Sequence, residues 1–445
     1  MNKISLTFFT SGLLIIIAVR VIAQNNGDTA SLVAISRALP SPLQSPAFPN
    51  SDWDGGPIIG APNDETYYAL QKFLHLANDK AKIRVYGWVD VGGNLSSSTH
   101  SNAPAAYDIV PNAVELDQVV LRVEREPNTM QTEHADWGFL IDNVYGTDYR
   151  YTTSTGVFSD QLLKHNNLYG YDPTQFYAIM YIPGIAQGML VKAGRFFSPS
   201  DIEDQWAPDN YLFTHSLMYT LDPYTFTGLM ATIRLNKYFQ IQLGAHGGND
   251  VVPWNNAASL NGLAMLRWVA HNNNNALYGG INALGRGYYV NEHDDLQMVV
   301  EIWGHRFSDK IHMMTEVYYM WQHNAGVGGT VINSPEPYFM ETGAGPIVPG
   351  ISSAIGAVNY FEISLSAKNY ISIRNDFLDD PQGNRTGFKT AYSSHTVGLA
   401  HHFNDFITVR PEIRFETAYA KGVTPYDNGN KKDQYTLAAD IFVRF

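Results

Sequence analysis

Tyr435-Thr436-Leu437-Ala438-Ala439-Asp440-Ile441-Phe442-Val443-Arg444-Phe445 is the stretch whose reading decides the fold. Taken in steps of two, one side carries Tyr435, Leu437, Ala439, Ile441, Val443 and Phe445, and the other carries Thr436, Ala438, Asp440, Phe442 and Arg444. Successive side chains of an extended chain point to opposite faces, so this is strand periodicity with one apolar face. A half-buried strand of a soluble sandwich alternates in the same way. The rest of the chain has to separate the two readings.

Segments of the same kind begin at Ile83. Arg84, Tyr86, Trp88 and Asp90 oppose Ile83, Val85, Gly87, Val89 and Val91; Gln118, Arg122 and Glu124 oppose Val119, Leu121 and Val123. Trp137, Phe139 and Ile141 oppose Asp136, Gly138 and Asp142, and Phe239, Ile241, Leu243 and Ala245 oppose Tyr238, Gln240, Gln242 and His246. Met298, Val300 and Ile302 oppose Gln297, Glu301 and His305, while Phe361, Ile363 and Leu365 oppose Tyr360, Glu362 and Ser364.

The connections between such segments alternate in length. Short ones fall near Pro127-Asn128, Pro183-Gly184, Asn236-Lys237, Asn272 to Asn275, Ser308-Asp309, Lys368-Asn369 and Asn404-Asp405. Long ones include Leu95 to Asn112, Tyr145 to Thr174, Ser198 to Tyr224 and Asn324 to Gly356. Short turns on one side of a membrane and long loops on the other are what a transmembrane antiparallel β-barrel requires, and a sandwich has no reason to segregate them. Seven short turns plus the paired ends imply an all-β barrel of about 16 strands. In lipid every backbone N–H and C=O must be bonded within the protein, and a closed barrel does this without leaving an edge. The strand at Ile83 is therefore expected to pair with the one ending at Phe445.

Composition agrees. The 445 residues include 42 acidic and 29 basic side chains, a formal charge of -13, which argues against nucleic-acid binding. Charged residues make up 16% and aromatics 13%, with 27 Tyr and 37 Gly, a β-rich and turn-rich balance. The absence of cysteine excludes disulfides and thiolate metal sites. Lys3, the apolar run Leu13 to Val19 and Val21-Ile22-Ala23 before Gln24 read as a signal peptide over residues 1–23, with Arg20 interrupting the pattern. That run is shorter than the about 20 residues of a comfortable membrane span. Residues 24–82 form a Pro/Ser-rich lead-in, with a possible short helix from Asp64, its N-cap, to Leu76 and Tyr67, Leu70, Phe73 and Leu74 along one side. Residues 83–445 are assigned to the barrel. No later stretch is apolar enough for a transmembrane helix, as expected when lipid-facing and lumen-facing residues alternate.

The segment Phe406 to Tyr419 places Ile407, Val409, Ile413 and Phe415 on one side and Arg410, Glu412, Arg414 and Glu416 on the other. A midplane Arg or Lys facing lipid costs about 2–4 kcal/mol, so these charges must face water or each other. A structural salt-bridge ladder and a polar pore wall both satisfy that demand. By the same alternation Arg84, Asp90, Arg122, Glu124, Glu301 and Glu316 are expected to line the pore, with Glu362, Arg374, Arg410, Glu412, Arg414, Glu416 and Arg444. The third long loop, Ser198 to Tyr224, carries Asp201, Glu203, Asp204 and Asp209 and no Lys or Arg.

Other chemistry is poorly represented. His401 and His402 are adjacent and so point to opposite faces of a strand, and no His-Glu-x-x-His motif occurs among the 14 histidines. Asp379 to Asn384 has hairpin-loop composition without the ligand spacing of a calcium-binding EF-hand. Neither a Gly-x-Ser-x-Gly elbow nor a phosphate loop is present. No metal ligand set and no cofactor is assigned.

The terminal strand resembles the C-terminal strand of bacterial outer-membrane barrels, which their assembly machinery reads as a folding signal. On that resemblance Tyr435, Leu437, Ile441, Val443 and Phe445 form the assembly signal. The segments Gly194-Arg195-Phe196-Phe197-Ser198-Pro199, Asn249-Asp250-Val251-Val252-Pro253-Trp254, Met313-Met314-Thr315-Glu316, Asp379-Asp380-Pro381-Gln382-Gly383 and Arg410-Pro411-Glu412-Ile413-Arg414-Phe415 resemble the β-barrel porin-2 family, from about Ile83 onward. The resemblance implies an outer-membrane barrel of Gram-negative bacteria through which small hydrophilic solutes or ions diffuse passively. Its partners would be outer-membrane lipid and lipopolysaccharide, the barrel assembly machinery and small solutes, with a homo-oligomer left open. In the 16-stranded general porins, which this architecture resembles, the third loop folds inward, which would make Asp201, Glu203, Asp204 and Asp209 a cation-favouring constriction. Two rivals stand beside this reading: a barrel enzyme of the lipid hydrolase type, needing a Ser–His–acid set on the outer wall, and a secreted soluble β-rich binding protein. A large TonB-dependent receptor would need about 22 strands and a plug.

Overall fold

Sixteen antiparallel strands close on themselves in the computed structural model of the chain. It describes residues 58–63, 66–78, 81–105, 107–163, 165, 167–291, 293–328 and 345–445. The expected signal peptide, most of the lead-in and the Asp64 cap lie outside the described residues.

The strands are β1 (Arg84–Ser96), β2 (Val114–Arg125), β3 (Asp136–Gly146), β4 (Gly170–Ile182), β5 (Met189–Phe197), β6 (Thr225–Arg234), β7 (Phe239–Asn249) and β8 (Asn261–Val269). They continue as β9 (Asn275–Leu284), β10 (Gln297–Ser308), β11 (Ile311–His323), β12 (Ile351–Ser366), β13 (Asn369–Asp380), β14 (Thr390–His402), β15 (Ile407–Ala418) and β16 (Asp433–Arg444). Each pairs with the next, and β16 returns to β1, with Val89 opposite Val443 and Val91 opposite Ile441. The Phe445 amide donates to the Gly87 carbonyl at 2.8 Å, and the Gly87 amide returns the bond at 3.1 Å. No edge strand is left, which is the backbone condition for residence in lipid.

The faces follow from alternation. In β16, Tyr435, Leu437, Ile441 and Val443 are exposed on the outer wall, while Gln434, Thr436, Ala438, Asp440 and Phe442 are buried inside. An apolar row open to the surroundings is the pattern that a lipid-facing wall requires. Strands are joined at one end by short turns such as 309–310 and 367–368, and at the other by long connections such as 198–224 and 324–350. Two long connections are shorter than expected: β4 already begins at Gly170 and β12 at Ile351.

One strand departs from the expected facing. In β10 the apolar residues Met298, Val300 and Ile302 are buried inside the barrel, and Val299, Glu301 and Trp303 face outward. The lumen beside β10 is filled with apolar side chains, so the usual polar-inside rule does not hold there.

The lead-in lies across the short-turn end of the barrel. The Gly60 amide donates to Thr129 Oγ1 at 3.0 Å, Arg234 Nη1 donates to the Ile59 carbonyl at 3.2 Å, and Tyr68 packs edge-on to Phe406. Helix α1 is only Ala69–Phe73, shorter than expected. Its buried side is Gln71 beside Tyr68, and Phe73 and Leu74 are exposed, the reverse of the expected facing. Tyr68 stacks on Tyr86 of β1 at 5.0 Å, and that contact sets the orientation of the segment.

Candidate functional site

The segment 198–224, between β5 and β6, passes into the barrel and packs against its inner wall. Its apolar residues Ile202, Leu212, Leu217, Met218 and Leu221 share one buried cluster with Met298, Val300, Ile302, Met314, Tyr318 and Val358 from β10, β11 and β12. Removing that surface from water drives the loop inward. Two glycines on the wall make room for it. A Cβ on Gly398 would collide with Leu212, and one on Gly92 would collide with Phe213.

A loop buried in this way needs partners for its backbone, and the wall supplies them. Arg410 Nη1 donates to the carbonyls of Ala207 and Asn210, both at 2.8 Å. Arg414 Nη1 donates to the His215 carbonyl at 2.7 Å, Tyr318 Oη to the Met218 carbonyl at 3.0 Å, and Arg444 Nη2 to the Pro208 carbonyl at 3.2 Å. In the other direction, the amides of Phe213 and Thr214 donate to Glu412 Oε2 at 3.0 and 3.2 Å. The Ile202 amide donates to Glu316 Oε2 at 3.0 Å. Charge-assisted bonds of this kind are the stronger class, and here they run from alternate residues of single strands.

The expected inward charges therefore divide by neighbourhood. Arg84 meets Glu124 at 3.0 Å, and Arg122 grips Asp142 through two bonds of 2.7 and 2.8 Å. Asp90 is buried on the inner side of β1. Arg410 Nε donates to Asp440 Oδ1 at 3.1 Å, and Arg414 lies 2.7 Å from Glu416. Glu362 accepts from Ser372 Oγ at 2.7 Å. Arg374 faces Glu203 of the loop. Glu301 is the exception and corrects the expectation: it stands on the outer face of β10, opposite Gly279 and Val317. Met298, Val300 and Ile302 belong to the loop-packing cluster, which turns the alternate row of Val299, Glu301 and Trp303 to the outside.

The four loop acids do not gather at one point. Asp201 joins Asp222 and Glu316, while Glu203 joins Arg374 and Tyr360. Asp204 Oδ1 accepts the Trp206 amide at 2.7 Å, and Asp209 ends the short 3-10 turn Ala207–Asp209. Sequence reasoning missed Asp222, Thr214, Tyr318, Tyr360 and Arg385. Thr214 and Asp222 lie on a loop rich in acids and without Lys or Arg, which was their only signal; Tyr318, Tyr360 and Arg385 meet that loop across sequence separations of 100, 157 and 164, which leave no local pattern.

The outer wall carries an unexpected polar row, in which Thr315, Asn359, Asn375 and His395 stand opposite one another on β11 to β14. Asn359 Nδ2 donates to Thr315 Oγ1 at 2.7 Å, and His395 Nδ1 lies 2.8 Å from Asn375 Oδ1. Ser393, two positions before this histidine and on the same face of β14, has its hydroxyl 2.9 Å from that of Tyr419. The described residues show no bond from Ser393 to His395, which a nucleophile–base pair would use.

The profile of the family described as "Putative beta-barrel porin-2, OmpL-like" matches residues 82–445. Among solved structures the chain is similar to Salmonella typhi OmpF in complex with daunomycin, at 9% identity, covering 82% of this chain and 97% of that one, with a TM-score of 0.51. It is also similar to the anion-selective porin from Comamonas acidovorans, at 9% identity over 82% and 99% of the chains with a TM-score of 0.49. Pseudomonas putida OprB follows at 11% identity over 82% and 94% with a TM-score of 0.47. At such identities the likeness to OmpF shows a shared fold. No curated protein matches the sequence.

Proposed function

Because the chain belongs to the β-barrel porin-2 family, and is a porin of the bacterial outer membrane, we propose that its inward loop 198–224 is the constriction past which small hydrophilic solutes and ions diffuse. The seating of that loop on β11 to β15 by wall arginines and carboxylates carries this reading. A charged element held where the walls are close acts through a weakly screened field. Asp201, Glu203, Asp204 and Asp209 on a loop without Lys or Arg favour cations. Arg374 offsets Glu203, so Asp204 and Asp209 carry more of the bias.

The test is planar-bilayer recording with the purified full chain. Stepwise currents, with a reversal potential in a salt gradient that favours cations, are expected, and the joint variant D204N/D209N shifts that potential toward zero. A folded barrel that produces no current steps overturns the pore reading, and an unchanged reversal potential removes this loop as the selectivity element.

The remaining partners follow from the surfaces. The apolar outer row of β16 suits recognition by the barrel assembly machinery and contact with outer-membrane lipid and lipopolysaccharide. Glu301 and the polar row from Thr315 to His395 suit a second copy of the chain better than lipid, so the face β10 to β14 is read as the contact of a homo-oligomer. The Ser393–Tyr419 bond favours a channel over a lipid hydrolase.

A further inference from the structure

Three carboxylates meet where the inward loop touches β11. One oxygen from each of Asp201, Asp222 and Glu316 lies within 4.8 Å of the others. Asp201 and Asp222 stand near opposite ends of the segment 198–224, and Glu316 is on the inner face of β11. Asp222 is fully buried, and neither of its carboxylate oxygens has a hydrogen-bond partner. Glu316 Oε1 and Asp201 Oδ1 are also without one, while Glu316 Oε2 holds the Ile202 amide. Arg385 donates to the carbonyl of Leu221, next to Asp222, but its guanidinium is paired with Asp294 at 2.8 Å. Among the described residues no ion pair reaches any of the three carboxylates.

Three buried carboxylates so close repel one another, and a proton or a bound cation relieves that repulsion. A donor set made only of carboxylate oxygens, with no nitrogen or sulfur, suits a hard divalent cation. Calcium accepts six to eight oxygens in flexible geometry, with carboxylates binding through one or two oxygens, whereas magnesium demands a tighter octahedron and holds its waters. We propose that Asp201, Asp222 and Glu316 bind one calcium ion, which clamps both ends of the inward loop to β11. The site goes beyond the porin reading: it regulates how firmly the loop is seated, and its existence does not depend on what the barrel conducts.

The folded full-length barrel in detergent, stripped with a chelator, is titrated with calcium and separately with magnesium by calorimetry. Saturable binding of one calcium per chain is expected, with magnesium weaker by about tenfold or more. Asp222→Asn and Glu316→Gln each weaken calcium binding by about tenfold or more, because each removes a charged ligand. Asp427→Asn, an acid on the connection 419–432 outside the cluster, leaves it unchanged. A cysteine replacing Leu212, in the middle of the loop, reacts with a water-soluble thiol reagent about fivefold more slowly in calcium than in chelator if the loop is clamped. No saturable binding by the unmodified protein at millimolar calcium overturns the site, whether or not the variants fold. Binding unaltered by both Asp222→Asn and Glu316→Gln places the ion elsewhere, and equal labelling rates overturn the clamp. Neither readout uses conductance, so failure of the site and failure of the porin reading are distinguishable.

Discussion

The guanidinium of Arg374 and the carboxylate of Glu203 lie 3.4 Å apart, with both side chains buried. This pair joins β13 to the inward loop, and the Tyr360 hydroxyl donates to the same carboxylate oxygen at 2.6 Å. Arg374 Nε also lies 3.4 Å from the buried Asp376, so removing Arg374 leaves two buried carboxylates unmatched, at a cost of about 3–5 kcal/mol, whereas removing Glu203 leaves the guanidinium one partner and costs less. Glu203→Gln and Arg374→Gln are each expected to lower the unfolding temperature in detergent, read as loss of heat-modifiable mobility. The double variant should recover part of the loss. Strictly additive effects in this cycle would show that the two groups do not act as a pair.

Thiol labelling distinguishes the faces of β15, with no native cysteine to interfere. Cysteines at Ile413 and Phe415 face outward and should resist water-soluble reagents in membranes. Alternation alone predicts fast labelling at 412 and 414, but Glu412 and Arg414 are 3% and 2% exposed because the loop covers them. Cysteines there should label slowly, and about tenfold faster once Glu203→Gln loosens the loop. Fast labelling in the otherwise native barrel would mean that the loop does not occupy the lumen.

Closure of the barrel depends on its last residue. Phe445 contributes two backbone bonds to Gly87, at 2.8 and 3.1 Å. Deleting Phe445, or placing Asp at Val443 on the outer row, is expected to reduce folded protein in the outer membrane and leave unfolded chains in the periplasm. Normal amounts of heat-modifiable protein after either change would refute the role of this strand in assembly.

Glu301 tests the proposed contact between copies. A carboxylate on the lipid face costs less than the about 2–4 kcal/mol of a midplane Arg or Lys, yet enough to favour cover by another chain. A single cysteine at 301 should give a cross-linked dimer with a short bifunctional thiol reagent in native membranes, and Glu301→Leu should leave the monomer folded. Monomer alone after cross-linking would assign this face to lipid.

At the long-loop end, Asp427 ties the connection 419–432 to 97–113. Its Oδ1 accepts the amides of Thr99 at 2.8 Å and His100 at 2.7 Å. Burial works against the charged form, but these amides outweigh it and hold the carboxyl at about 2. A depressed carboxyl contributes stability that is fully present above its unfolded value of about 3.9 and is lost as pH falls through the folded value. The tie should therefore persist at pH 5, weaken below about pH 4 and be lost near pH 2. The protection of the Thr99 and His100 amides, measured as exchange relative to the intrinsic rate at each pH, should fall over that window. In Asp427→Asn that protection should be lower already at pH 7, and protection that does not change with pH in the native chain would contradict the assignment.

Much of this architecture was legible because strand alternation is local. Tyr435 to Phe445 shows which residues share a face, and the spacing of Pro127-Asn128, Lys368-Asn369 and Asn404-Asp405 shows where the chain turns. Two neighbours in sequence must point to opposite faces, so Glu412 could be placed inside once Ile413 was placed outside. The same rule inverted β10, because alternation tells which residues share a face and not which face meets lipid. Met298, Val300 and Ile302 are inside because Ile202, Leu217 and Leu221, from a loop about a hundred residues away, fill the lumen beside them. The carboxylate cluster has the same origin. Asp201, Asp222 and Glu316 belong to no motif, and only burial of the loop against β11 brings them within reach of one another. Periodicity along the chain determined the barrel; the packing of one long loop inside it decided which charges are paired, which are covered and which face outward.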